Sequence, residues 1–213
     1  KAGFENVSLD LIYGTPGETL AQWESTVETA LSYGIDHLSA YALIIEDGTK
    51  LAAKIKRGEV NRPDDDLMAQ MYLTVDSLAD KAGLSWYELS NWGRPAEHNL
   101  VYWRNQNWWG LGPGAHSHLD GVRWWNVKHP SKYSEKLAAF ESPMQDREVL
   151  GDKEKNEERI MLQIRLREGI SDLTPEQLTV LARYPEAIEI IGNRAILTTS
   201  GRLIADRIVR DLI

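Results

Sequence analysis

The hydrophobic and polar positions in the first part of the chain switch between strand-like and helix-like patterns. Residues 4–14, FENVSLDLIYG, predict a buried strand that ends at a Gly-Thr-Pro-Gly turn. Helical spacing follows, with Thr19 and Gln22 placed as a capping box and Gly34 as the stop. Residues 36–45 predict the next strand, and this order of elements predicts a right-handed βαβ unit with parallel strands.

Two further elements extend the α/β pattern. Pro63 and the aspartates at 64–66 predict the start of a long helix that Gly83 ends, because acidic residues suit the N-terminal end of a helix dipole. Residues 84–92, LSWYELSNW, predict a third strand. The fold class predicted for this part is therefore α/β.

The pattern changes after about Asp120. Residues 131–140 predict a short helix, and residues 141–152 have few apolar positions and predict a linker. Residues 153–213 predict a compact module in which helices precede a hairpin turn at Gly192-Asn193 and one more helix follows. Helices with a two-stranded wing are typical of a winged-helix-like domain.

Composition and charge narrow the classes of function. The 213 residues carry a formal net charge of −8, and from Gln145 onward 11 Lys plus Arg stand against 13 Asp plus Glu. A nucleic-acid-binding wing would have a basic face, so we expect no nucleic-acid partner. No apolar run is long enough for a bilayer, and the absence of cysteine predicts a cytoplasmic protein without disulfides. A start at Lys1 beside a strand-like run predicts a piece of a longer protein.

Asp10 is the first candidate for chemistry. If Leu9 and Leu11 pack against helices, Asp10 projects from the other face of the sheet. A carboxylate inside a barrel would need a partner or a ligand there. A structural aspartate bonded to backbone is the alternative, and the pattern leaves both open. The turn at residues 13–19 lacks the phosphate-binding fingerprints and predicts a plain strand-to-helix connection.

Histidines and tryptophans form the second candidate. His116 and His118 have the spacing of two imidazoles on one strand face, but no third ligand is near, so a structural zinc site is not expected. His98 precedes Tyr102 and Trp103, and an imidazole beside aromatic faces suits a planar iron macrocycle with histidine as axial ligand. An aromatic core around a hydrogen-bonded histidine is the alternative. Seven of the eight tryptophans lie within residues 86–125, which favours a ligand platform or a seam between domains.

Several motifs together resemble one family. They are SLDLIYGTPGET, DHLSAYALIIEDGTKL, WYELSNWGRP, HNLVYW, GLGPGAHS and WWNVKHPSKY. In this order they resemble the radical S-adenosylmethionine (SAM) family of oxygen-independent coproporphyrinogen III oxidase-like proteins, in its haem-chaperone branch. The resemblance covers essentially the whole chain, and HNLVYW with GLGPGAHS separates this branch from the oxidases.

The resemblance implies a fold and a set of cofactors. Residues 1–140 would be the C-terminal part of a partial (β/α)6 TIM-like barrel with extra strands, and residues 153–213 the winged-helix-like domain. A longer parent would hold a 4Fe-4S cluster and SAM, with haem as cargo. The family's C-x-x-x-C-x-x-C motif is absent and the chain has no cysteine, so we expect no metal site for the cluster and no radical chemistry from this chain alone.

The resemblance also assigns residues. Asp10 matches a strand-end aspartate that contacts SAM, and Leu43 matches a position whose backbone approaches the adenine. His98, Tyr102 and Trp103, together with Asn99, match the motif implicated in haem binding. Catalytic residues are not assigned.

Two departures from the family pattern stand out. Thr15 replaces a usual leucine. Only Ala96 and Glu97 separate Pro95 from His98, which indicates either a short loop or a missing stretch of sequence.

Three functions follow as hypotheses. The first is a haem chaperone that binds haem or porphyrin and passes haem to recipient haem proteins. The alternative is an oxidoreductase that converts coproporphyrinogen III propionates to vinyl groups with SAM, and it would need the missing half. The third is a winged-helix binding module, which the acidic balance disfavours. We expect no transmembrane segment, and peripheral membrane association is left open.

Overall fold

The first elements form the βαβ unit that the hydrophobic pattern predicts. The computed structural model describes residues 3–213, so Lys1 lies outside the described part. Strands β1 (Ser8–Tyr13) and β2 (His37–Ala42) pair in parallel, and helix α1 (Leu20–Ser32) connects them. The Thr19 hydroxyl accepts a bond from the Gln22 amide and the Gln22 side chain accepts one from the Thr19 amide, so the predicted capping box is confirmed.

Two helices and a hairpin follow. They are α2 (Lys50–Lys56), α3 (Asp65–Lys81), β3 (Trp86–Glu88) and β4 (Asn91–Gly93). The Asp64 carboxylate accepts a bond from the Leu67 amide at 2.8 Å and caps α3, as the run of aspartates predicts. One buried face of α3 packs with α1 and the sheet around the fully buried Trp23 and Trp92.

The prediction of a single strand over residues 84–92 is wrong. The chain turns back at Leu89-Ser90, and β4 pairs antiparallel with both β3 and β2, which gives the sheet order β1-β2-β4-β3. The fully buried Glu88 carboxylate stabilises this turn, because it accepts bonds from the Ser90 amide at 3.2 Å and from the side chain of Asn91. The strands of this sheet do not close into a barrel within residues 3–213.

A second compact unit, Glu97–Ile213, follows the first, Lys1–Ala96. Its elements are α4 (Glu97–Trp103), β5 (His116–Leu119), β6 (Val122–Asn126), α5 (Pro130–Ala138), β7 (Met144–Val149), α6 (Asp152–Gln163), α7 (Pro175–Leu181), β8 (Ile188–Ile191), β9 (Arg194–Leu197), α8 (Thr199–Leu203) and α9 (Ala205–Leu212). Strands β5, β6 and β7 form an antiparallel sheet in that order, and β8 pairs with β9.

The segment predicted as a linker contains a strand. β7 lies within residues 141–152 and pairs with β6 from Val122↔Val149 to Asn126↔Met144. All six residues of β7 are exposed, so the strand is held by backbone hydrogen bonds to β6. Its sequence shows no alternation of apolar and polar residues that would have predicted a strand. The predicted division into residues 1–140, 141–152 and 153–213 stays a prediction. In the structure, the chain passes from the first compact unit to the second between Ala96 and Glu97.

The last elements have the predicted order of a winged-helix-like module. Thr174 and Gln177 form the predicted capping box of α7, and β8 and β9 form a hairpin around Gly192-Asn193. Ile170 adds a third short segment to this wing, because it exchanges two backbone hydrogen bonds of 2.9 Å with Ala195. The closing helix is divided into α8 and α9 at Ile204.

The described helices include none with the length and apolar character that a bilayer crossing requires.

Candidate functional site

Helix α4 places His98 beside Tyr102. Four residues apart, the two side chains lie on the same side of the helix, and the Nε2 atom of His98 is 2.9 Å from the Tyr102 hydroxyl. Their rings meet edge to face with centroids 5.0 Å apart, and both side chains are exposed. His98, the haem ligand predicted from the sequence, is therefore an accessible imidazole whose Nε2 atom is hydrogen-bonded to the Tyr102 hydroxyl.

Aromatic contacts continue inward from this pair. The ring of Tyr102 lies 5.0 Å from that of Trp108, and Trp108 lies 4.9 Å from His118, which is buried. Among the described ring contacts, this series joins an exposed histidine to a buried one through two aromatic side chains. Trp103 is half-buried and is not one of its members. The structure therefore brings His98 and Tyr102 together but leaves Trp103, another residue of the predicted haem motif, outside the series.

His118 has a structural role, because both of its ring nitrogens are hydrogen-bonded to the backbone. Its Nδ1 atom lies 3.0 Å from the backbone carbonyl of Gln106 and therefore carries the proton. Its Nε2 atom accepts a bond from the Gly121 amide at 3.2 Å. Both ring nitrogens are thus engaged, and a metal could bind His118 only if one of these bonds broke. Within residues 3–213, no cluster of three or more histidine or carboxylate ligands forms a metal site.

His116 is exposed, unlike His118 on the same strand. Its ring stacks on Trp125, its cross-strand partner, with centroids 5.6 Å apart. His116 therefore remains accessible to a ligand, although a pair with His118 is not available for a metal.

A glycine-rich segment, residues 109–115 and called the glycine loop below, connects Trp108 to β5. The Gly110 amide donates to the Ser117 hydroxyl at 2.9 Å, and the Asn126 side chain donates to the carbonyl of Gly112 at 3.0 Å. A Cβ atom on Gly110 would lie 2.1 Å from the carbonyl oxygen of His116, so only glycine allows the loop to lie this close to the strand.

Asp10 lies where the alternation predicts. Leu9 and Leu11 pack against the core of the first unit, while Asp10 between them is exposed on the opposite face of β1. It is the third of six residues in this strand, so it stands in the middle of β1 and not at its end. The carboxylate lies close enough to His37 for its charge to act on that imidazole.

His37 lies between two hydroxyl groups. Its Nδ1 and Nε2 atoms are 2.8 Å from the Ser8 hydroxyl and 2.9 Å from the Tyr87 hydroxyl. Burial lowers the pKa of His37, and the negative charge of Asp10 partly offsets that effect.

Leu43 follows the end of β2. Its amide donates to the Tyr13 carbonyl at 2.8 Å, which extends the parallel pairing of β1 and β2 by one bond. Burial raises the pKa of Tyr13 to about 12, since this side chain packs on Trp23 in the core. The assignment of Asp10 and Leu43 to SAM stays a prediction.

The turn between β1 and α1 is filled by its own glutamate. One carboxylate oxygen of Glu18 accepts bonds from the amides of Gly14 and Thr15, at 2.9 and 3.1 Å. An external anion would compete with this carboxylate. The turn is therefore a strand-to-helix connection, as expected from its sequence.

An iron–sulfur cluster does not fit the residues present. The chain has no cysteine, and thiolates are the ligands that hold such clusters.

Comparison with known proteins agrees with this fold. No protein-family model matches the chain. The protein named heme chaperone HemW from Mycobacterium tuberculosis (strain ATCC 25618 / H37Rv) is 44% identical over 218 residues, which cover 99% of this chain and 56% of the relative. HemW from Bacillus subtilis (strain 168) is 37% identical over 79% of this chain and 45% of its own length. The mitochondrial radical S-adenosyl methionine domain-containing protein 1 of Danio rerio is 37% identical over 54% of this chain and 28% of its own length.

The solved structure of the coproporphyrinogen III oxidase HemN from Escherichia coli, a radical SAM enzyme, superposes with a TM-score of 0.76. The match covers 99% of this chain and 55% of HemN at 17% identity, so it defines the class of fold: the α/β fold of radical SAM proteins, as predicted. The chain belongs to the HemW/HemN-like family of radical SAM proteins. It spans about half the length of the curated relatives that it matches.

Proposed function

We propose that this chain is the haem-binding part of a haem chaperone of the HemW type. The observation that carries the proposal is the 44% identity to a protein named heme chaperone over 99% of the chain. The geometry of α4 adds support, because His98 is an exposed imidazole on a helix surface with an aromatic neighbour, Tyr102. Neutral imidazole is a common axial ligand of haem iron.

Within this proposal, His98 ligates the iron and Tyr102 bounds the macrocycle. Trp103 is half-buried one position further along α4, so it contributes less exposed surface to a ligand than Tyr102. The recipients would be haem proteins, and SAM would contact Asp10 and Leu43 in a longer chain that supplies the cluster. A cytoplasmic location is part of the proposal and is supported by the lack of cysteine.

The oxidase alternative has weaker support. HemN is 17% identical to this chain, and that likeness carries the fold alone. The nucleic-acid alternative is disfavoured by the acidic excess of residues 145–213.

The proposal is tested by haemin titration of the chain, followed at the Soret band. We expect saturable binding that His98→Ala abolishes. His129→Ala is the matched control, because His129 is also exposed and makes no side-chain cap to α5. Circular dichroism of both variants establishes that they are folded.

Two results would count against the proposal. Binding that survives His98→Ala would remove His98 as the ligand and direct attention to His116. Absence of saturable binding to the unaltered chain would show that these residues alone do not form a haem site.

A further inference from the structure

An apolar groove lies on the face of the β5–β6–β7 sheet that turns away from the histidines. Side chains alternate along each strand, so Ser117 and Leu119 project opposite to His116 and His118. The groove also receives residues from the glycine loop and from α5, and its volume is about 560 Å³. This volume lies within the range of small-molecule sites, about 300–1,000 Å³.

The walls of the groove are unusually exposed for their size. Trp109 is 62% exposed and Leu111 is 85% exposed, and Leu119 and Leu137 are also exposed. Large apolar side chains gathered on one surface mark a binding site, because each would be more stable out of water. Trp109 meets Trp124 edge to face with centroids 5.0 Å apart, so two indoles form an aromatic corner.

The groove is held in shape before any ligand enters. The Gly110 amide bond to Ser117 fixes the loop that carries Trp109 and Leu111. The Gly112 amide donates to the Tyr133 hydroxyl at 3.1 Å, which attaches the same loop to α5. A preformed site loses little conformational entropy on binding.

Charge selects the class of ligand. Among the described residues that line the groove, Arg147 is the one charged side chain, and no carboxylate is present. Arg147 stands directly across from Trp124 in the β6–β7 pairing, so both side chains lie on the same face of the sheet. A guanidinium beside an indole recognises a carboxylate attached to an aromatic ring.

We infer that this groove binds a planar, largely apolar ring that carries a carboxylate. The ring packs against Trp109 and Trp124, and the carboxylate pairs with Arg147. No imidazole lines the groove among the described residues, so binding requires no iron and is independent of the proposed ligand His98. None of the residues of the proposed haem site, His98, Tyr102 and Trp103, lines the groove.

The test uses 1-pyrenebutyrate as the probe and its fluorescence as the readout. The unaltered chain is expected to bind the probe saturably, and Arg147→Gln to weaken it about tenfold, the effect of losing one charge-assisted pair. The neutral analogue 1-pyrenebutanol should bind both chains equally. Arg62→Gln is the matched control, because Arg62 is exposed and lies in the other compact unit.

A second variant separates the ring contact from the charge. Trp109→Ala removes an exposed side chain, so the chain should stay folded and lose affinity for both probes. His98→Ala should leave pyrenebutyrate binding unchanged, which keeps this test distinct from the haemin titration. Absence of saturable binding, equal binding by the Arg147→Gln variant, or loss of binding in the His98→Ala variant would each overturn the inference.

Discussion

Single side chains in this protein are assigned by what their polar atoms contact. His98 and His118 lie in one aromatic series, yet His118 has both ring nitrogens bonded while His98 is exposed with its Nε2 atom on Tyr102. Sequence reasoning identified both histidines as candidates. It could not separate them, because the partners of His118 are a backbone carbonyl and a backbone amide, which leave no signature in the sequence.

Protonation of His37 should make the free energy of unfolding depend on pH. Burial lowers the pKa of His37 in the folded chain, so the unfolded chain binds a proton more readily. Stability therefore rises with pH through the titration range of an unfolded histidine, about 6.5, and falls as the pH is lowered through it. We expect the free energy of unfolding, measured by urea denaturation, to decrease between pH 7.5 and pH 5.

His37→Gln should reduce that decrease, since the titrating group is gone. His129→Gln serves as control, because His129 is exposed and lies in the other compact unit. An identical pH dependence in the unaltered chain and the His37→Gln variant would contradict the assignment.

Elements with local signals were predicted from the sequence. The capping residues Thr19 and Thr174 and the hairpin turn at Gly192-Asn193 lie where the pattern placed them. Each depends on contacts between residues close in the chain, so a few letters are enough to predict it.

Elements without a local signal in the sequence were missed. Apolar and polar positions are mixed along residues 84–92, and the reversal at Leu89-Ser90 contains neither glycine nor proline. Strand β7 has no apolar face, and it is a strand because β6 pairs with it. The groove draws on four segments of the chain, and Arg147, its cation, lies in the stretch that was predicted as a linker.

The close approach of the glycine loop to β5 leaves no room for a side chain at Gly110. Gly110→Ala places a methyl group 2.1 Å from the His116 carbonyl oxygen, so the loop or β5 must shift. We expect a loss of about 1–3 kcal/mol or more in the free energy of unfolding, typical of overpacked sites. Urea denaturation followed by tryptophan fluorescence measures it.

Leu111→Ala is the control for this change. Its side chain is 85% exposed in the same loop, so the free energy of unfolding should move by less than about 0.5 kcal/mol. Equal stability of the Gly110→Ala variant and the unaltered chain would mean that the loop is free to move away from β5.

The chain as a whole has the fold of its family but contains no cysteine. The fold class and the family were predicted from ordered motifs, because those motifs extend over almost the entire sequence. The chemistry that the family name suggests needs thiolates, and none of the 213 residues supplies one.

Reconstitution tests this directly. After anaerobic incubation with ferrous iron and sulfide followed by desalting, we expect no brown chromophore and no reductive cleavage of SAM on addition of dithionite. A cysteine-ligated ferredoxin treated in parallel controls for the procedure. Retention of iron and sulfide in equal, stoichiometric amounts would contradict this expectation.

The alternation of β5 has a consequence for how its two surfaces can change. His116 and His118 face one side, and Ser117 and Leu119 face the other, each in fixed register with β6. A deletion or insertion of one residue in this strand would exchange the two sets of side chains in a single event. Substitutions can therefore tune either surface separately, whereas a change in the length of β5 would disrupt both together, and relatives that keep either surface should keep the length of this strand.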